Sequence, residues 1–319
     1  MAFGFGANPD RTTAFEFLVS VFEDFRREFE EVQYGRIMYR EIIPEASIVT
    51  DINPGATEMS YPVLDWRGKG EFRALHDSDL PTVQMTADKN RIPIQVAGVT
   101  GQFDREDARQ IQMGFDLTTL TEFPRVMRMA CDRHVEGTTF YGNSRLNFQG
   151  FLNYTGVTVN TVPNGAAGTA TWITKTPDEI QFDINNAITT VWANTREVHL
   201  PNTIYIPTSQ YGYIASQRMS TAAERSVMKY IIENNVYTSM TGQPLNIKSL
   251  RYLDGAGAGG TDRMIAAEMD ANNFFMPFPI PFDLLDPQEV GFNVDLLAEY
   301  KFGSFHIKYP GAMSYNDGI

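Results

Sequence analysis

The sequence holds one cysteine, Cys131, and four histidines, His76, His134, His199 and His306, in 319 residues. A single thiol excludes an intrachain disulfide and any zinc site built from several cysteines. The histidines are scattered without ligand spacing and frame no metal centre. No apolar run approaches the roughly 20 residues of a membrane helix; FFMPFPIPFDLL comes nearest, and Pro277, Pro279 and Pro281 interrupt it. The start MAFGFGANPDRTT lacks the basic head and continuous apolar centre of a secretory signal, so a soluble chain made in a cytoplasm is expected, with no membrane partner. Basic residues are outnumbered, 26 against 39 acidic, for a net charge of -13. Such a surface repels nucleic acid over most of its area. That excludes a DNA-binding fold as a whole, but not a protein that lies beside DNA without adhering to it.

What is present is a folded protein. Apolar residues make up 43% and aromatics 12%, and the length favours two or more lobes. Residues 12–31 carry Phe15, Leu18, Val19, Phe22, Phe25 and Phe29 at helical spacing, a stripe that needs a partner surface. Residues 57–64 and 91–100 alternate as strands, with Met59, Tyr61 and Val63 aligned on the first and Ile92, Ile94 and Val96 on the second. Pro62 and Pro93 mark them as edge strands. The stretch between shows no period and predicts a long arm that rests on something outside its own lobe. Asp104 caps a short helix closed by Gly114. A longer helix runs from Asp116 or Thr118 to about Gly137, with Pro124 as a kink or offset start. Its buried side is read as Leu120, Phe123, Met127, Ala130 and His134, and its charged outer face as Arg125, Arg128, Asp132, Arg133 and Glu136.

Thr176, Pro177 and Glu179 form a capping box for a helix over 176–195, striped by Ile180, Ile184, Ile188 and Val191. A strand follows at 203–207, a helix at 220–235, and strands at 245–253 and 262–269, leading to a β-rich last third. DGAGAGGTDR, 254–263, matches the dinucleotide pattern G-x-G-x-x-G at Gly255, Gly257 and Gly260. That pattern works only between a strand and a helix, with an acidic residue about 20 positions on. Here the neighbours are strands, and Glu268 and Asp270 come too early, so a mobile hairpin loop is expected. Cys131 and His134 lie at i,i+3 on an apolar helix face and read as core residues. HDSDLP, 76–81, reads as a turn, and there is no Walker loop or nucleophile elbow. The expectation is no enzyme, no cofactor, no metal and no catalytic residue.

The order of parts resembles another class of protein. REIIPEAS (40–47), WRGKGEF…HDSDLP (66–81), FDREDARQIQMGFDL (103–117) and TTFYGNSRLNFQGFLN (138–153) follow one another, the last with Gly142 and the tetrad Gly150, Phe151, Leu152, Asn153. TPDEI opening a helix and IYIPTSQY follow. In this order they resemble the major capsid proteins of tailed bacteriophages, whose α+β fold is shared with encapsulin shells and herpesvirus capsid floors. The resemblance implies an N-terminal arm over 1–45, an extended β-hairpin loop over 46–100 and a peripheral domain with a spine helix over 101–154. It further implies an axial domain over 155–300 and a C-terminal strand, 301–319, completing the peripheral domain. It implies a structural protein that assembles with itself, through pentamers and hexamers, into an icosahedral head around double-stranded DNA. Contacts between subunits are expected at Trp66, Arg67, Lys69, Phe72 and Arg73, and at Phe15, Phe22 and Phe29. The partners implied are a separate scaffolding protein, a portal, optionally a cement protein, and packaged DNA held without sequence specificity. Location in the virion capsid, after synthesis in the host cytoplasm, is implied with them. An encapsulin-type compartment shell is the alternative; a nucleotide-cofactor enzyme using Gly255 to Gly260 is the weakest reading.

Overall fold

The computed structural model describes residues 35–43, 47–72, 81–104, 106, 117–219 and 225–319. The chain divides into a unit of residues 1–36 and a unit Ile37–Ile319, and every described helix and strand belongs to the second. The helix expected at 12–31, the short helix at 104–114 beyond Glu106, and HDSDLP up to Leu80 lie outside the described residues.

One mixed sheet organises the unit. It takes β4 (Thr158–Thr161), β5 (Thr203–Ile206), β6 (Asn246–Ser249), β7 (Arg263–Ala267) and β13 (Met313–Asp317), in the order β4-β13-β7-β5-β6. Alternate side chains of a strand leave on opposite faces, and here each face founds a core. Ile204, Ile206, Met264 and Ala266 pack with Trp172, Ile180, Ile184 and Ile188. Tyr205, Ile265, Ala267, Met313 and Tyr315 pack with Cys131, Val135, Phe140 and Phe151 on the other side. The first core owes its helix to the capping box and the isoleucine stripe. α3 (Pro177–Asn194) has Thr176 accepting from the Glu179 N–H, and it buries Ile180, Ile184, Ile188 and Val191. Within this core Lys175 Nζ meets Asp183 Oδ2 at 2.6 Å, while Trp172 Nε1 donates to the same carboxylate at 3.0 Å. Burial pushes the Asp183 carboxyl up from its ordinary range despite the lysine.

The second core rests on α2 (Leu117–Tyr141), which runs unbroken through Pro124 and ends four residues beyond Gly137, at Gly142. Its inward stripe is Met127, Cys131, Val135, Glu136, Thr139 and Phe140, whereas Ala130 and His134 are exposed. The expected stripe holds at Phe123 and Met127 and shifts by one residue beyond them, from Ala130 and His134 to Cys131 and Val135. Glu136, expected outside, is buried because its carboxylate accepts the Met38 N–H at 2.9 Å and lies 3.3 Å from Arg251. That pair pins the start of the unit, including α1 (Tyr39–Ile42), to the helix. Beyond α2 the chain doubles back so tightly that glycine is required. A Cβ on Gly150 would lie 2.4 Å from the Phe140 carbonyl oxygen and 2.5 Å from the Gly142 nitrogen.

Further differences from the sequence expectations have local causes. α4 (Thr208–Ser216) continues from β5. Of the helix expected over 220–235, residues 220–224 lie outside the described residues; the rest holds α5 (Val227–Glu233), capped by Ser226, and Asn235 caps a separate helix, α6 (Val236–Thr241). A third group of strands holds the long hairpin. β2 (Glu58–Arg67) pairs antiparallel with β3 (Gln84–Asp104), whose second half pairs with β11 (Asn293–Gly303). β9 (Ile280–Leu284) and β10 (Gln288–Val290) also pair with β11, while β1 (Ile48–Val49), β8 (Phe274–Pro277) and β12 (His306–Ile307) form a small sheet. Residues 280–300, expected in the axial span, therefore pair with the hairpin and not with the mixed sheet. The expected C-terminal strand also divides. Lys301–Gly303 end β11, and β13 sits inside the mixed sheet between β4 and β7, presenting Met313 and Tyr315 to the α2 core.

Two glycines give opposite expectations. Gly150→Ala should lower stability by about 2–3 kcal/mol, since backbone and not a flexible side chain fills the space. Gly137→Ala, inside α2 with nothing within 4 Å of a new Cβ, should raise it by about 0.5–1 kcal/mol. Denaturant unfolding of the two variants checks both signs.

Candidate functional site

Among the described residues, the outer end of the long hairpin is left exposed. Register places Met59 opposite Ile92, Tyr61 opposite Asn90, Leu64 opposite Ala87, and Trp66 opposite Met85. Residues directly opposite share a face, so the ribbon has two distinct faces. One carries Met59, Tyr61, Asn90 and Ile92 at the root and turns polar beyond Val63, with Asp65, Thr86, Asp88, Gln84 and Arg67. The other is polar at the root, with Ser60, Glu58, Arg91 and Lys89, and turns apolar outward, with Pro62, Leu64, Trp66, Met85 and Ala87. Apolar character crosses from one face to the other along the ribbon.

Burial follows the crossing. Ile92 is 1% exposed, so the root's apolar face is covered by the body of the unit. At the outer end Trp66 is 78% exposed, Met85 72% and Leu64 57%. The stretch expected to be irregular is in fact paired out to Arg67 and Gln84. Burial alternation fades after Tyr61, but Leu64-Asp65-Trp66 and Met85-Thr86-Ala87 still alternate in chemistry. That is the signal that would have found Leu64, Met85 and Ala87, which the sequence reading missed. Pro62 lies on the edge strand as expected. Pro93 instead stands where β3 changes partner: it is the last residue paired to β2, opposite Glu58, and Ile94 is the first paired to β11.

The root is fastened at several points. Lys301 Nζ donates to the Pro54 carbonyl at 2.7 Å, the Ile94 N–H to Thr57 at 2.9 Å, and the Ser304 N–H to Pro93 at 3.2 Å. Tyr61 meets Phe275 edge to face and bonds to His306. Of the contact residues expected from sequence, Trp66, Arg67, Lys69 and Phe72 are all exposed on the outer hairpin. Arg67 is on the polar face, paired with Asp65 at 3.1 Å, and Lys69 with Glu71 at 2.9 Å; exposed pairs of this kind contribute little. Arg73, Phe15, Phe22 and Phe29 lie outside the described residues.

The other candidates resolve into structural roles. The glycine loop is not a hairpin, because β5 lies between β6 and β7 in the sheet. Nor is it held loosely: the Gly255 N–H donates to Asp262 at 3.0 Å, Ala258 to Asp317 at 2.9 Å, and Gly257 to the Thr261 carbonyl at 2.7 Å. Amides that a pyrophosphate would need are thus taken by the chain's own carboxylates and carbonyls. Asp317 also holds Arg263 by two bonds, 2.6 and 2.9 Å, while Arg263 donates to the Leu152 carbonyl at 2.6 Å. The loop, the Gly150–Asn153 tetrad and the last strand are fixed by one buried ion pair. Burial pushes the Cys131 thiol up to about 12, leaving it protonated and inert, and His134 hydrogen-bonds the Tyr300 hydroxyl at 2.7 Å. Among the described residues no group of His, Cys, Asp and Glu is arranged to hold a metal.

The arrangement is a mixed α/β lobe, a long helix and a projecting two-faced hairpin. The family model of the major capsid protein matches residues 68–319. The chain belongs to that family, and its role is structural, as a self-assembling component of a virion capsid. Among solved structures it is similar to the capsid of Myoviridae phage XM1, with a TM-score of 0.76 and 15% identity, covering 94% of this chain and 98% of that one. It is also similar to a chain of Gordonia phage Cozz, with a TM-score of 0.59, 16% identity and coverage of 92% and 90%. The capsid of a native GTA particle aligns with a TM-score of 0.57, 14% identity and coverage of 92% and 94%. No curated protein matches the sequence.

In the unassembled chain, Trp66→Ser and Met85→Ser should change stability by no more than about 0.5 kcal/mol, because neither side chain touches a core. Ile92→Ala should cost about 2–5 kcal/mol, because it empties the covered root. Chemical denaturation of the monomeric fraction measures all three.

Proposed function

We propose that the outer apolar face of the hairpin is the main assembly contact, docking on a neighbouring copy of this chain in pentamers and hexamers of an icosahedral head. The observation that carries this reading is the crossing of apolar character. The root face is covered by the chain's own body, while Leu64, Trp66 and Met85 stay exposed among the described residues. Burying each of those side chains contributes on the order of 1.5–3 kcal/mol, and association costs about 4–15 kcal/mol in lost freedom. One hairpin contact therefore holds weakly, and closure of rings in which every copy gives and receives a hairpin makes the shell stable. Phe72 and Lys69, further out, complete the contact, and the Phe15, Phe22 and Phe29 stripe adds a second one. Arg67 plays a lesser part, since it lies on the polar face.

The hairpin at 58–104, together with 280–303 and α2, forms the peripheral part, and the mixed sheet with α3 to α6 the axial part. The net charge of -13 keeps packaged DNA from adhering along the wall. A separate scaffolding protein and a portal complete the head, and synthesis takes place in the host cytoplasm.

Negative-stain microscopy of the expressed chain, with its scaffold where one is required, tests the reading. Trp66→Asp and Met85→Asp should each abolish closed shells while the chain stays folded, whereas Thr86→Asp on the polar face should assemble. Shells from Trp66→Asp, or equal loss from Thr86→Asp, would overturn the assignment of the face.

A further inference from the structure

The hairpin root contains a hydrogen-bond chain that the docking role does not use. Asn90 Nδ2 donates to the Tyr61 hydroxyl at 2.8 Å, and that hydroxyl bonds to His306 Nε2. The other ring nitrogen, Nδ1, lies 2.9 Å from the Tyr154 hydroxyl, which reaches the Ile307 carbonyl at 3.3 Å. Each hydroxyl has one proton, the Asn90 amide only donates here, and the carbonyl only accepts. One direction satisfies every group: Asn90 donates to Tyr61, Tyr61 to Nε2, Nδ1–H to Tyr154, and Tyr154 to Ile307. The ring must then be neutral and carry its proton on Nδ1. A second ring proton would make Nε2 a donor and leave the Tyr61 proton without its acceptor.

The surroundings oppose that second proton. Tyr61 faces the ring from β2, with Asn90 of β3 behind it; Tyr154 faces it from the loop after the tetrad. Phe275 of β8 packs with ring centroids 4.9 Å apart. Lys308 stands on the same segment, its Nζ 5.4 Å over the Phe275 ring, and Tyr309 lies close enough to act on Tyr61. Burial, with the Lys308 charge second, lowers the imidazole to about 4.

We propose that His306 is a positioning residue for the hairpin: its neutral ring seats the root at one angle to the body, and protonation of the ring unseats it. The seated form takes a proton less readily than a free imidazole, whose ordinary value is 6.5. Seating is therefore complete above about pH 6.5 and weakens as pH falls toward about 4. The hairpin is the element offered to a neighbour, so the same proton would govern how readily a copy presents it. The switch belongs to the unassembled chain and is independent of which face docks.

The test is histidine-ring NMR of the unassembled full chain, where four histidines give few signals. It is joined to amide exchange of residues 58–67 and 84–93, corrected for the intrinsic rate. One ring should titrate near 4 and vanish in His306→Gln; in Tyr61→Phe it should rise, since Nε2 no longer has to accept. Root amides should exchange about 40-fold faster at pH 4.5 than at 6.5, with α3 amides unchanged, and His306→Gln should remove that pH response. A His306 ring titrating near 6.5, no change in Tyr61→Phe, or root exchange indifferent to pH would each overturn the proposal. If His306→Gln fails to fold, the Tyr61→Phe titration decides alone. A hairpin that docks by another face leaves all of these readouts unchanged, so the two readings fail separately.

Discussion

A two-stranded ribbon in water has too little surface to bury to hold itself in place, and the rest of this structure depends on how that deficit is met. At its root the ribbon borrows a core. Ile92 and Ile94 are covered, Tyr61 packs on Phe275 and His306, and Lys301 ties the preceding turn at Pro54. Beyond Tyr61 the ribbon is exposed among the described residues, and beyond Val63 its apolar residues move to the opposite face. A chain folded only for itself would gain by making that outer end polar throughout. Leu64, Trp66 and Met85 make sense as half of a contact completed by another copy.

The remainder of the unit supplies rigidity behind that lever. The mixed sheet carries a core on each face, so α2 on one side and α3 on the other are fixed relative to the same strands. Buried charges act as rivets where segments distant in sequence meet. Arg263 and Asp317 join the tetrad, the glycine loop and the last strand; Lys175 and Asp183 close the α3 core. Breaking such a pair by removing one partner leaves a charge out of water and is costly, which makes these positions intolerant without giving them any chemistry to perform.

Much of the fold was legible because local signals and tertiary packing agree. The Thr176 box, the Ile180 to Val191 stripe and the buried strand at 203–206 needed no structure to be found. Legibility failed where the deciding partner was distant in sequence. Glu136 looks like a surface residue of α2 until the Met38 amide and Arg251 are seen to meet it. The glycine loop looks like a hairpin because nothing local says that β5 will insert between β6 and β7. The split at 220–235 turned on Asn235, read as a helix end and used as the start of the next. At the candidate site, Trp66 was expected to contact a neighbour as part of the extended arm, whereas Met85 and Ala87 share its face only by strand register. His306 was passed over because its partners, Tyr61 and Tyr154, are 245 and 152 residues away in sequence.

The central claim is that the hairpin's outer apolar face, and not its polar one, is buried when copies of the chain assemble. A cryo-electron microscopy reconstruction of the assembled shell at side-chain resolution tests it most directly. The account predicts Leu64, Trp66 and Met85 packed against a neighbouring subunit, with Asp65, Thr86 and Asp88 open to solvent. A hairpin lying on its neighbour by the Asp65, Thr86 and Asp88 face, or standing free with Trp66 in solvent, would contradict it.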